Sequence, residues 1–106
     1  MAIQIQSRLL IKHSLDSPLG RASLAGSARH SAGVPFASMR ILGSYALVYV
    51  VGGSGRYADA RGVEQKVAAG DLITVFPEIA HAYGPGPREH WDETYIVFDG
   101  PVFDLW

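Results

Sequence analysis

The fold is decided by residues 45–77, YALVYVVGGSGRYADARGVEQKVAAGDLITVFP, in which short apolar runs alternate with turn residues. The strands predicted here cover residues 45–51, 55–60, 63–68 and 72–76. The turns between them contain glycine, which supplies positive φ at little cost, and Pro77 would end the last strand because it cannot donate to a β ladder. Short strands at intervals of about 8 to 12 residues are typical of all-β sandwiches and barrels, and consecutive hairpins are their simplest connection.

The rest of the chain extends this pattern in both directions. Further strands are predicted at residues 3–11, 36–42, 81–83 and 94–98. Residues 13–33 are rich in Ser, Ala and Gly and have no sustained period of 2 or 3.6, so we expect this segment to be irregular. The chain is therefore divided into an N-terminal arm, residues 1–33, with the first strand and the irregular segment, and a β-domain, residues 34–106.

Composition limits the class of protein. The 106 residues include 48% hydrophobic residues and no cysteine, and the formal net charge is −1. One domain of this size can bury a substantial core. Without cysteine there is no disulfide or thiolate site, which fits a reducing compartment, and we expect a cytoplasmic protein. No apolar run approaches the roughly 18 residues that span a bilayer, so no membrane association is expected.

Charge is distributed unevenly. Residues 1–40 contain five basic residues and one acidic residue, whereas residues 41–106 contain four basic and nine acidic residues. A basic block can be a nucleic-acid footprint, but these side chains are dispersed and lack interleaved aromatic residues. A solvated segment is the favoured interpretation, and docking of the arm on an acidic surface of its own protein is a further alternative.

The last predicted strand has two contrasting faces. Trp91, Glu93, Tyr95 and Val97 alternate along one face and combine rings with a carboxylate, as the lining of a cavity would. The opposite face includes Ile96 and Phe98 and needs a cover from outside the strand. This unpartnered face favours association into a homodimer or against a further helix.

Four stretches carry a resemblance to a known family. They are residues 45–57 (YALVYVVGGSGRY), 67–77 (VAAGDLITVFP), 81–84 (HAYG) and 91–98 (WDETYIVF). In order and spacing they resemble the cupin-type N-terminal sensor domain of AraC-type transcription regulators, over residues 34–100. The resemblance implies an all-β, cupin-like (jelly-roll) double-stranded β-barrel.

The resemblance also bears on metal binding. In enzymatic cupins a first motif supplies two histidines and a glutamate, and a second motif supplies one more histidine. The matching first segment, residues 56–66, contains no histidine, and only His81 of the second motif is present. One imidazole cannot hold a catalytic metal without further protein ligands. We therefore expect no metal, no cofactor and no catalytic residue in this chain.

In the sensor domains the effector lies inside the barrel. Six positions of this chain match the ligand-binding positions, namely Arg40, His81, Tyr83, Trp91, Glu93 and Tyr95. Aromatic faces can stack on a sugar, and the polar side chains can bond its hydroxyls, so a carbohydrate is one candidate effector. Structural roles are the alternatives: Trp91 as a core residue, His81 in a turn, Glu93 as a solvated charge, and Arg40 paired with Glu93 or on the surface.

The function implied is effector sensing and dimerisation within a transcription regulator. DNA would be contacted only by a C-terminal helix-turn-helix domain, which we do not expect in this chain because nothing after Trp91 shows a sustained helical period. Two alternatives remain open. The first is a small cupin enzyme acting on a sugar or acid, with Glu93 or His81 as general base. The second is an oligomerisation module with a filled interior and no ligand.

Overall fold

A computed structural model describes residues 6–11 and 15–105, in which eight β-strands form two sheets that share strand β4. The elements are β1 (Gln6–Ile11), β2 (Leu15–Ser17), β3 (Gly20–Arg29), β4 (Tyr45–Asp59), β5 (Glu64–Ala68), β6 (Leu72–Val75), β7 (His81–Gly84), β8 (Trp91–Asp99) and a short 3₁₀ helix (Phe103–Leu105). Strand order is β1-β3-β8-β4-β5, with β2 beside β3 and both β6 and β7 beside β4. This confirms the predicted all-β class, although the described strands do not close into a ring.

Strand β4 connects the two halves of the fold. Its residues 45–53 pair antiparallel with β8, and residues 46–49 also pair with β6. Residues 54–59 pair instead with β5 and β7. The register against β8 shifts between Val50 and Gly52, where the strand bends from one sheet into the other. The two sheets enclose the core between them.

The expected break at residues 52–54 is therefore wrong, as is the expected series of consecutive hairpins. Glycines in this stretch bend a continuous strand instead of reversing it, because Gly52 and Gly53 stay in register with Asp92 and Trp91 of β8. Strands β5, β6, β7 and β8 all pair with β4. The predicted strands at 63–68, 72–76, 81–83 and 94–98 are confirmed, with β8 starting earlier, at Trp91.

The expectation of an irregular segment at residues 13–33 is wrong for β2 and β3. Strand β3 lies between β1 and β8 and pairs antiparallel with both. Small residues suit this place, because a side chain on Gly26 would collide with the Arg8 carbonyl and the Tyr95 hydroxyl. Residues 1–5 and 12–14 lie outside the described part of the chain. The boundary between an N-terminal arm and a β-domain at residue 33 stays a prediction. Strand β3, which lies before this boundary, pairs with β8 of the predicted β-domain.

Residues 31–44, which we call the strap, cross the edge of β7 and replace the strand predicted at 36–42. Two isolated bridges attach the strap, one between Val34 and Tyr83 and one between Arg40 and His81. Between them Phe36 lies under the guanidinium of Arg56, 4.1 Å from the ring centroid. Pro35 and the turn at Phe36 interrupt the ladder, so the strap pairs with β7 through two isolated bridges instead of a continuous strand.

The core follows the alternation of β4. Ala46, Val48 and Val50 are buried between the sheets, whereas Tyr49 and Val51 on the other face are exposed. On the outer side of β8, Phe98 needs no second molecule as its cover. It stacks on Tyr45, with ring centroids 5.6 Å apart, and meets Phe103 of the 3₁₀ helix edge-on at 4.5 Å.

Replacing Gly53 with alanine is expected to cost about 2 kcal/mol, against about 1 kcal/mol for Gly62→Ala. Both glycines have positive φ, +83° and +87°, so both variants carry the same backbone strain. A Cβ at Gly53 would also overlap the His90 carbonyl, whereas no atom of the described residues lies within 4 Å of one at Gly62. Urea denaturation of the two variants measures the difference, and equal losses would mean that β4 is not held against residue 90 as described.

Candidate functional site

A cavity of about 280 Å³ lies between the strap and strands β3, β4, β7 and β8. This volume is near the lower end of the roughly 300–1,000 Å³ typical of ligand pockets, and it suits a small metabolite. Its lining combines residues of β3, the strap, β4, β7 and β8: Leu24, Ala28, Ser31, Gly33, Val34, Arg40, Leu42, Ala46, Val48, Tyr83, Glu93, Tyr95 and Val97.

Four of the six predicted site residues border this cavity, namely Arg40, Tyr83, Glu93 and Tyr95. The other two, His81 and Trp91, are fully buried beside them and do not line it. The alternation of β8 explains part of this grouping, since Glu93, Tyr95 and Val97 project from the same face of the strand.

His81 holds the side chain of Arg40. The Nη2 and Nε atoms of Arg40 lie 2.9 and 3.3 Å from Nε2 of His81. A guanidinium can only donate, so Nε2 must be the acceptor. The neutral imidazole then carries its proton on Nδ1, which faces the Ile79 carbonyl at 3.3 Å. Burial, together with the nearby Arg40 charge, lowers the pKa of His81, which favours this neutral form.

Tyr83 lies at the centre of a row of three rings. It stacks on His81 on one side and on Trp91 on the other, with centroid distances of 5.8 and 5.7 Å. Its hydroxyl accepts a long hydrogen bond from Arg40 Nη2 at 3.5 Å. Burial, followed by the charge of Glu93, raises the pKa of Tyr83 to about 12, so the hydroxyl stays protonated at neutral pH.

Glu93 is a buried carboxyl group at the cavity wall, in a strand flanked by β3 and β4, and is not a solvated charge on an edge. Only 5% of its surface is exposed. Its Oε1 accepts a hydrogen bond from Trp91 Nε1 at 3.0 Å. None of the described residues donates a hydrogen bond to its Oε2. Every fully buried polar side-chain atom of the described residues has a hydrogen-bond partner, so Oε2 is not fully buried and must border the cavity that Glu93 lines. Burial raises the pKa of Glu93.

Arg40 and Glu93 do not form the ion pair that the sequence suggested as one alternative. Within the described residues the ion pairs are Arg61–Asp59 and His90–Asp92. Arg40 is not a surface residue either, because it is half-buried and is turned toward His81 and Tyr83. The guanidinium and the carboxyl group thus border the same cavity without touching each other.

Replacing Glu93 with glutamine is expected to raise the melting temperature of the free protein near neutral pH. Because the pKa of Glu93 is raised in the folded state, stability is lost as pH rises from the ordinary value of a glutamate, 4.5, through the folded-state value. Glutamine still accepts from Trp91 but does not ionise. Denaturation at about pH 4 and about pH 8 should give a larger gain at the higher pH. A variant that loses stability at both would contradict this assignment.

The sequence did not indicate the contributions of Leu24, Ala28 and Ser31 to the cavity. They come from β3 and the start of the strap, a region without apolar periodicity, so no local signal could have identified them. The described residues contain no group of three or more His, Asp or Glu side chains that could hold a metal ion. The same part of the chain has no helix long and apolar enough to cross a membrane.

Comparison with solved structures identifies the fold. The chain is similar to a Cupin 2 conserved barrel domain protein from Salinispora arenicola CNS-205, with a TM-score of 0.65 at 15% identity over 95% of this chain and 81% of that one. It is also similar to KdgF from Halomonas sp., with a TM-score of 0.56 at 16% identity over 96% and 84%. A protein from Ralstonia eutropha JMP134 that carries the name of a mannose-6-phosphate isomerase gives 0.59 at 14% identity over 93% and 86%.

At these identities the similarities show the fold alone, and they confirm the predicted cupin-like architecture. No curated protein matches the sequence significantly. The AraC-like ligand binding domain matches residues 21–106, which is most of the chain and includes all of β3 except its first residue. The chain therefore belongs to the family of AraC-like ligand-binding domains, the sensor domains of AraC-type regulators.

Proposed function

We propose that the cavity beside the strap is the effector site of this sensor domain. The observation that carries the proposal is an unfilled space of about 280 Å³ bordered by both a half-buried guanidinium and a buried carboxyl group. Protein interiors are close-packed, and a domain that served only for oligomerisation would have no need to keep such a space beside unpaired charges. This supports binding of a small polar molecule.

The strap provides the means of transmitting binding. It contributes Val34, Arg40 and Leu42 to the cavity. It pairs with β7 through two isolated bridges, and backbone hydrogen bonds to the Trp91 and Pro77 carbonyls hold its two ends. An effector that contacts these side chains would favour one position of the strap, and it would shift the population toward that state. In a regulator this shift would alter the arrangement of a DNA-binding domain, which reads the operator.

Dimerisation is part of the proposal. Tyr49 and Leu72 are register partners on the outer face of β4 and β6, and both are exposed, as is Val51 nearby. An exposed apolar group of this kind supports association with a second copy better than Phe98 does, because Phe98 is covered by its own chain.

An enzyme that uses Glu93 as a general base is the second candidate. The buried carboxyl group with a raised pKa, open to the cavity through Oε2, favours it. His81 does not suit this role, because its Nε2 is engaged by Arg40 and its Nδ1 carries the proton. Turnover of a sugar or acid that disappears in Glu93→Gln would establish the enzyme in place of the sensor.

Filling the cavity is expected to abolish effector binding without unfolding the domain. We predict that Ala28→Phe removes the rise in melting temperature produced by a bound metabolite and weakens its affinity at least about tenfold. Ala28 lines the cavity from β3, whereas Ala68 is an exposed strand alanine on β5 and serves as the matched control. Thermal-shift titrations of both variants measure the effect, and equal responses would place binding elsewhere.

A further inference from the structure

We propose that the effector is a small zwitterion, a molecule that carries a carboxylate and an ammonium group, as amino acids do. This inference rests on the proposed function, because it names the chemistry of the molecule that the same cavity binds. It follows from two opposite charges that border one cavity without forming an ion pair, and from the apolar side chains that also line this cavity.

The Arg40 side of the cavity fits a carboxylate. Both protein partners of its guanidinium are neutral, namely the His81 imidazole and the Tyr83 hydroxyl. None of the described carboxylates lies within 4.0 Å of it. A half-buried cation with neutral partners gains most from an anionic ligand, and the planar fork of arginine matches a carboxylate in two parallel hydrogen bonds.

The Glu93 side fits an ammonium group. Trp91 supplies one donor to Oε1, and Oε2 is left facing the cavity. No described cation forms an ion pair with Glu93. An ammonium group would donate to Oε2 and compensate the cost of ionising a carboxyl group that is 5% exposed.

The remaining lining of the cavity is largely apolar. Leu42, Val48 and Val97 would contact the carbon skeleton of a ligand. A neutral sugar can bond to both ends but neutralises neither charge, and a ligand with a single charge leaves one end unpaired. A zwitterion neutralises both at once, and the volume of about 280 Å³ limits it to a small one.

The test uses the full 106-residue chain and thermal-shift and calorimetric titrations. The probes are the standard protein amino acids and L-arabinose, each at about 10 mM. For the amino acid that raises the melting temperature most, the deaminated and decarboxylated analogues are then compared. For leucine these are 4-methylpentanoate and 3-methylbutylamine. We expect at least one amino acid to bind and each of its analogues to bind at least about tenfold more weakly.

Glu93→Gln supplies the second arm, because it keeps the acceptor for Trp91 and removes the negative charge. In this variant the amino acid and its deaminated analogue should bind with similar affinity. If L-arabinose binds and no amino acid does, the zwitterion is overturned and the effector site stands. Amino-acid binding that Ala28→Phe leaves unchanged also overturns it, because binding is then outside the cavity. If neither these probes nor a broad metabolite panel binds, both proposals fail.

Discussion

Replacing Trp91 with alanine is expected to destabilise the domain by about 3–5 kcal/mol, the range typical of deleting a buried aromatic side chain. Trp91 is fully buried, its ring stacks on Tyr83, and its indole N–H is the donor to Glu93. Its loss would leave a large void in the core and a buried carboxyl group without its protein donor. The expected fall in melting temperature is at least about 12 °C, measured by calorimetry.

Trp91→Phe separates packing from hydrogen bonding. Phenylalanine keeps an aromatic ring beside Tyr83 but removes the donor to Glu93, so we expect a loss of about 1–3 kcal/mol. If the alanine variant were no less stable than the phenylalanine variant, Trp91 would not be the core residue that the structure indicates.

The second large effect is expected at the end of β4. The carboxylate of Asp59 is fully buried and accepts hydrogen bonds from the Tyr57 hydroxyl at 2.7 Å, from the Arg61 amide at 2.8 Å and from Arg61 Nη2 at 2.9 Å. Asp59→Ala would leave the Tyr57 hydroxyl and the Arg61 guanidinium without this acceptor. The expected cost near pH 7 is about 3 kcal/mol.

The same group makes stability depend on acid pH. Burial alone would raise the pKa of Asp59, but the hydrogen bonds from Arg61 and Tyr57 outweigh it and lower the pKa from 3.8 to about 2. The stabilisation is therefore fully present above pH 3.8 and is lost as pH falls through about 2. Urea denaturation along this pH range should show a shallower acid loss in Asp59→Ala than in the wild type.

Asp16 provides the matched control, because it is an exposed carboxylate on β2. Asp16→Ala should change stability near pH 7 by no more than about 0.5 kcal/mol. An Asp59→Ala variant that behaved like the Asp16 control would contradict the hydrogen-bonded cluster described here.

The predictable part of the fold is where side-chain alternation and burial agree. Glu93 and Tyr95 share one face of β8, so this part of the lining could be predicted from the period of the strand. Arg40 and Tyr83, in contrast, were expected only from the family resemblance. These local signals identified the face of β8 that borders the cavity.

The unpredicted part depends on partners distant in sequence. Strand β3 has small side chains and weak periodicity, and it is held by ladders to β1 and β8 on its two edges. Gly53 continues β4 because it stays paired with Trp91 of β8, and the glycine itself does not determine whether the chain continues or turns there. The orientation of Arg40 likewise depends on His81, 41 residues further along the chain.

The central claim is that the effector binds between the strap and β8. An NMR titration of the isotope-labelled chain, with the compound that most raises its melting temperature, tests this most directly. The account predicts that the largest amide shifts fall on residues around the cavity, such as Arg40, Tyr83, Glu93 and Tyr95. Shifts confined to the exposed outer face around Tyr49 and Leu72 would contradict it.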